Sequence, residues 1–227
     1  MHIPSYVPEP IEIPGNVAEE RWPVVVGFVR RVMLLHLGTL AVAIGLATAP
    51  FRPMPLSGSL PMLLGCLLGL SLMRRFGKGK PWEQTVSALL APLLLFALGL
   101  VGKEIRNLGW PFGAVIAGPA VATLYVLFAR RDLSFLGMFL MGLAGSSVAI
   151  FVACRQLGVA GVFEALALNA GYLFYYVYDL AALLTRRRLG EEWGAVLDLY
   201  RDVLNMFSYP LRVWRHWRKH RIWSLLK

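Results

Sequence analysis

Apolar runs long enough to cross a bilayer recur along the whole chain, and no other feature restricts its fold so strongly. A membrane-crossing helix needs about 20 mainly apolar residues, because the hydrocarbon core is about 30 Å thick and a helix rises about 1.5 Å per residue. Such runs span about Val24–Ala47, Leu56–Met73, Thr85–Val101, Phe112–Ala129, Leu133–Ala153 and Val159–Leu184. A seventh, more polar stretch runs from about Glu192 to Val213. Backbone groups in lipid must find partners within the protein, and runs of this length do so as helices. Composition agrees: 57% of the 227 residues are hydrophobic and 16% are charged, against roughly 45–50% and 25% in an average soluble domain. The expected fold is all-α: a polytopic membrane helix bundle of about seven transmembrane helices, with a polar last helix that is central or re-entrant.

The chain divides into three parts. Residues 1–21 hold Pro4, Pro8, Pro10 and Pro14 and read as a disordered N-terminal arm, since proline removes helix hydrogen bonds. This arm lacks the apolar core of a cleavable signal. Residues 22–213 form the bundle, and residues 214–227 form a basic, Trp-containing tail. That tail resembles a helix lying on anionic lipid. Cys66 and Cys154 each sit inside an apolar run, without metal-ligand spacing, and read as small core fillers.

The net charge is +10, carried by Lys and Arg between and after the apolar runs. Basic loops on a membrane protein follow the positive-inside rule and attract anionic headgroups, so membrane lipid is the expected partner and nucleic acid is not. Arg74, Arg75, Lys78 and Lys80 flank the second-to-third loop; Arg130 and Arg131 mark a tight turn with Asp132; Arg186, Arg187 and Arg188 mark the sixth-to-seventh loop. These alternate loops are expected to be cytoplasmic, as is the N-terminus. Seven full spans would then put the basic tail outside, against the rule; a last helix that re-enters and returns would not. A bacterial inner membrane fits, and an endoplasmic reticulum membrane also fits.

Polar groups inside apolar runs are the candidates for function. A carboxylate at the centre of a membrane helix costs about 2.5–3.5 kcal/mol on the insertion scale. Asp179 lies seven residues before Arg186, about 10 Å into the sixth helix. Asp198 and Asp202 lie one turn apart on the seventh. In an antiparallel pair Asp179 can meet either of them. Two carboxylates in a low-dielectric site cannot both ionise easily; such a pair can hold one proton, titrate as a unit near neutral pH, and bind a cation when ionised. Alternatively Asp198 pairs with Arg201, and Asp202 with Arg201, Arg212 or the Arg186–Arg188 run. His36 within the first span is either a proton-sensitive auxiliary or a histidine hydrogen-bonded between helices. Arg30 and Arg31 are expected at the interface, Pro92 is expected to kink the third span, and Glu104 is expected near Lys103 and Arg106.

Four stretches resemble the Bax inhibitor family, the transmembrane Bax inhibitor motif proteins. FVRRVMLLHLGTLAVAIG resembles that family's first-helix entry, RRDLSFLGMFLMGL its fourth-to-fifth turn, YYVYDLAALL its sixth-helix Tyr-Asp motif, and LDLYRDVLNMF its seventh-helix motif. The resemblance spans about Gly27 to Leu211. It implies a seven-helix protein with a pH-sensitive cation leak, chiefly of calcium, gated by an aspartate pair. Carried over by motif, that pair falls on Asp179 and Asp202, which would touch calcium transiently. No cofactor is implied. Here Leu180-Ala181-Ala182 follows the Tyr-Asp step where the family has Gln, Asp198 stands where Asn is common, and Arg201 where an apolar residue is common. No basic partner for the pair is evident on the second helix.

The competing classes are a non-transporting regulator acting through protein partners, and an enzyme. An intramembrane aspartyl protease would also need two aspartates on adjacent helices, but Leu199-Tyr200-Arg201 precedes Asp202 in place of Gly-x-Gly, and no Pro-Ala-Leu follows. The chain is therefore not expected to be an enzyme. A retinal-based pump is disfavoured because the last helix has no lysine up to Val213.

Overall fold

The computed structural model describes residues 12–77, 80, 82–129, 132–157, 161–204 and 209–224. Every regular element among them is helical: α1 Trp22–Thr48, α2 Leu56–Gly77, α3 Trp82–Asn107, α4 Ala117–Ala129, α5 Phe135–Leu157, α6 Val162–Leu183, α7 Glu192–Arg201 and α8 Tyr209–Lys219. Short 3-10 turns lie at Val17–Glu19, Phe112–Ile116 and Arg221–Trp223. Most of the expected arm (residues 1–11), Arg130, Arg131 and Asn205 lie outside the described residues.

Among the described residues five segments are long and apolar enough to cross a membrane: α1, α2, α3, Phe112–Ala129 and α5. They present large side chains outward, such as Leu89, Phe128 and Val148. Exposed rings and branched chains on this scale mark a surface solvated by lipid. The α3 helix runs through Pro92 as one element. Helix α6 differs, because every residue from Tyr175 to Leu184 is buried. It packs against α4, α5, α7 and α8, so its second half forms the axis of the bundle.

The last helix corrects the sequence reading. One helix from Glu192 to Val213 was expected; α7 stops at Arg201, followed by a 3-10 turn at 202–204, and α8 is a separate helix. Ten residues span about 15 Å, half the hydrocarbon thickness. Pro210, at the second position of α8, cannot donate to a ladder extended from α7. By itself α7 is therefore too short to cross the hydrocarbon core, and Arg201 at its end lies within the bundle.

The chain then comes back to the face where it began. Ile13, Val17 and Ala18 donate backbone hydrogen bonds to the carbonyls of Thr185, Arg187 and Leu184, at 3.0, 2.9 and 3.0 Å. Lys219 Nζ meets Glu12 at 2.5 Å, and Trp223 packs on Phe135 at the start of α5. The beginning of α1, the end of α6 and the C-terminal helix thus share one face. The opposite loops hold only Arg52, Lys103, Arg106 and Arg155 as basic residues among those described. Returning the chain removes the charge conflict that seven spans would create. Arg30 tightens the basic face: its guanidinium donates to the carbonyls of Val126 and Leu127 at the end of α4, where orphan carbonyls accept cations. Arg31 instead reaches Glu192 at 2.8 Å.

Reporter tags fused separately to residues 1 and 227 should be protected or exposed together in sealed vesicles. Tags on opposite sides would contradict the returning α7–α8 path.

Candidate functional site

The end of α6, the turn after it and α7 form a corner that turns charge inward. Gly190 makes the corner possible with φ of 85°, a left-handed conformation that costs glycine little. The turn aims Arg186 and Arg187 back under α6 and α7; Arg187 is 1% exposed. Gly194 lets α7 approach this close, since a Cβ there would lie 2.6 Å from Arg187 Nη1 and 2.7 Å from Gln84 Nε2.

Arg186 lies between the two aspartates singled out in the sequence. Its Nη2 is 3.6 Å from Asp179 Oδ1, and its Nη1 donates to Asp202 Oδ2 at 2.5 Å. Asp202 also accepts from Arg201 Nε and Nη2 at Oδ1, at 2.9 and 2.5 Å. Asp179 is fully buried, and neither of its oxygens accepts a hydrogen bond from the described residues. The two acids therefore meet through a guanidinium. Asp202 is tightly held and Asp179 is held by longer-range attraction alone.

A second half of the network centres on Asp198. Arg187 Nε donates to it at 2.7 Å, Arg201 Nη1 lies at 2.7 Å and Arg74 Nε at 4.0 Å. Arg187 and Arg74 each reach Glu83 at 3.2 Å, and Arg74 also donates to the carbonyl of Arg186 at 2.8 Å. Burial opposes the charge on Arg187, but Asp198 and Glu83 outweigh it and raise its pKa. Four guanidiniums (Arg74, Arg186, Arg187, Arg201) thus face four carboxylates (Glu83, Asp179, Asp198, Asp202). Glu191, partly exposed at the rim, also lies 3.7 Å from Arg187, so each of these guanidiniums has a carboxylate partner, which is the condition for tolerating buried charge.

An aromatic group lies where α1 meets α6 and α7. His36 Nε2 is 2.7 Å from Tyr172 Oη, joining α1 to α6. Thr39 donates its hydroxyl to the His36 carbonyl at 2.8 Å, so it accepts from Tyr200 Oη at 2.7 Å, joining α1 to α7. Tyr172 and Tyr200 also border a cavity of about 200 Å³ lined by apolar residues including Leu40, Leu67, Leu94 and Leu199, with Tyr175. Among the described residues no group of three or more His, Cys, Asp or Glu side chains is placed to hold a metal ion.

The sequence reading placed Asp179 and Asp202 at one site and offered Arg186–Arg188 as alternative partners; the structure contains both relations at once. Asp198 and Arg201 pair as that alternative held, and His36 bridges helices. Sequence reasoning missed Glu83, read there as part of a loop but buried in the first turn of α3. It also missed Arg74 as the basic residue that α2 contributes. The adjacent Arg74-Arg75 pair looked like a helix end, and no local signal distinguishes an inward arginine from an outward one.

No family profile matches the chain, and no solved structure matches it significantly. Its similarity is to plant proteins of Arabidopsis thaliana. LIFEGUARD 3 is 28% identical, covering 87% of this chain and 86% of the relative; LIFEGUARD 4 is 26% identical, covering 93% and 90%; LIFEGUARD 1 is 24% identical, covering 84% and 87%. These homologues are members of the Bax inhibitor family, in agreement with the resemblance drawn from the four motifs.

Arg187→Ala should lower the unfolding free energy by about 3–5 kcal/mol, the usual cost of leaving a buried charge unpaired. Thermal unfolding in detergent reads this, with the exposed Arg188→Ala as a control expected to change little. Equal melting temperatures for the two variants would refute a stabilising buried network.

Proposed function

We propose that the chain is an integral membrane cation leak, with calcium as the permeant ion, whose opening depends on pH through Asp179 and Asp202. The observation that carries this reading is the position of Arg186 between the two carboxylates. A guanidinium there is a tethered stand-in for a permeant cation. It also ties the end of α6 to the end of α7 by charge. With both acids ionised, Arg186 is attracted from both sides and the tie is strongest. Loss of the charge on Asp179, the acid held without a hydrogen bond, removes one of the two attractions on Arg186. Arg186 is then less firmly held, and α7, which ends inside the bundle, is the element free to shift. The sign follows: the tie is present at higher pH and is lost as pH falls, so flux rises on acidification.

The same arrangement argues against proteolysis. Aspartyl proteases need two carboxylates sharing a proton and a water, whereas here a guanidinium separates the pair. We therefore read the chain as a non-enzyme without a resident cofactor. We orient its basic face to the cytoplasm by the positive-inside rule, which suits a bacterial inner membrane as well as an endoplasmic reticulum one. Helix α8 exposes Trp214 and Trp217 beside Arg218 and Lys219 on that face, a combination suited to anionic headgroups. A regulator that acts through protein partners and passes no ions is the alternative.

Purified protein in calcium-loaded liposomes tests the reading between about pH 6 and 8. Wild type should release calcium faster at the acidic end. Asp202→Asn, which cannot ionise, should leak at all pH values with the pH dependence flattened, and Asp179→Asn should do the same. Folded wild type that releases no calcium at any pH would instead favour the regulator. Unchanged flux in both variants would remove the aspartates from the gate.

A further inference from the structure

Beside the carboxylates and the apolar cavity lies a group of rings whose chemistry the gate does not use. Helix α7 has two working faces. Asp198, Arg201 and Asp202 join the ion network, while Leu199, Tyr200 and the following Val203 line the cavity. On α6, Tyr172 lines the cavity seven residues before Asp179, about 10 Å along the helix, and Tyr176 lies between them. His36 fills the space that α1 offers to both helices. Its ring centre lies 5.0 Å from that of Tyr176, 4.9 Å from Tyr200 and 6.4 Å from Tyr172. It has no exposed surface.

His36 is also incompletely satisfied. Nε2 is engaged with Tyr172, but Nδ1 has no hydrogen-bond partner among the described residues. In either tautomer, a buried lone pair or N–H is left over in a layer otherwise made of rings and hydroxyls. A buried polar atom without a partner is destabilising, and an apolar side chain would fill the same space without that defect. The layer therefore offers a crossing ion both ring faces, which attract cations, and polar atoms not already committed elsewhere.

We propose that His36, with Tyr172, Tyr176 and Tyr200, is the constriction of the permeation path and sets the size of cation that passes. This rests on the cation-leak reading above, but it assigns a second position, where α1 meets α6 and α7, and a different role. The Asp179–Arg186–Asp202 group decides when the path opens; the His36 layer decides what fits through it. The imidazole is the part of the layer whose removal creates the most room, because three rings converge on it.

The experiment is cation flux from liposomes holding the purified full chain, read with calcium and with the larger methylammonium ion. His36→Ala should raise calcium flux several-fold and admit methylammonium. His36→Phe, which refills the space with an apolar ring, should bring flux of both ions to background. Folding of each variant is checked by size-exclusion profile and thermal unfolding; His36→Gln replaces the alanine variant if that fails to fold, with the same direction expected. Folded variants with wild-type flux and wild-type size cut-off overturn the constriction. If Asp179→Asn and Asp202→Asn still change flux in that assay, the acid gate survives without it. A silent wild type that begins to pass ions only as His36→Ala supports the constriction while removing a wild-type leak. Silence of wild type and of every variant overturns both.

Discussion

Charge balance in a place with little water governs this structure. Four arginines and four carboxylates are gathered where α2, α3, α6 and α7 converge, and none of them would be tolerable there singly. Each helix position around the corner follows from that requirement. Arg187 must turn under α7 to reach Asp198, Gly194 must be without a side chain to let it pass, and Gly190 must take a left-handed backbone to start the return. The hydrophobic contacts of the bundle hold helices side by side but do not choose among nearby registers. The ion network does choose, because a shift of one residue would move Asp198 away from two guanidiniums.

The network is also uneven, and the unevenness separates structural from mobile parts. Asp198 and Glu83 are held by close contacts from more than one arginine. Asp179 is approached at 3.6 Å by one. A cluster with one loosely held member can change its state there without disassembling elsewhere. Helix α7 has the matching mechanical property: at 10 residues it is anchored at the basic face and ends inside the bundle.

The outer architecture was legible because membrane helices announce themselves by length and apolarity; α1 to α6 lie close to their expected places. The Asp179–Asp202 relation was legible too, because an acid inside an apolar run is costly enough to need a reason. The break after Arg201 was harder to read. Val203, Leu204 and the residues up to Val213 keep enough apolar character to extend a helix on paper, and the stop depends on Pro210 together with the tertiary grip on Asp202. Glu83 and Arg74 were hidden for a related reason. Charged residues beside a loop look solvated in one dimension, and only the packing of α7 over them makes them interior.

The sequence separations within the network bear on how the chain is made. Arg74 and Glu83 lie nine residues apart and can neutralise each other as soon as the second and third helices emerge. Arg187 lies 104 residues beyond Glu83, which at ordinary rates of synthesis is a delay of roughly 5–20 s. The early pair thus waits at the membrane surface as a docking platform, and the late one arrives with its own partner, Asp198, eleven residues behind it. Each half is close to neutral when it forms, so the insertion machinery never has to leave a lone charge in lipid. The arm that precedes α1, though synthesised first, can make its backbone bonds to residues 184–187 only after six helices have been made.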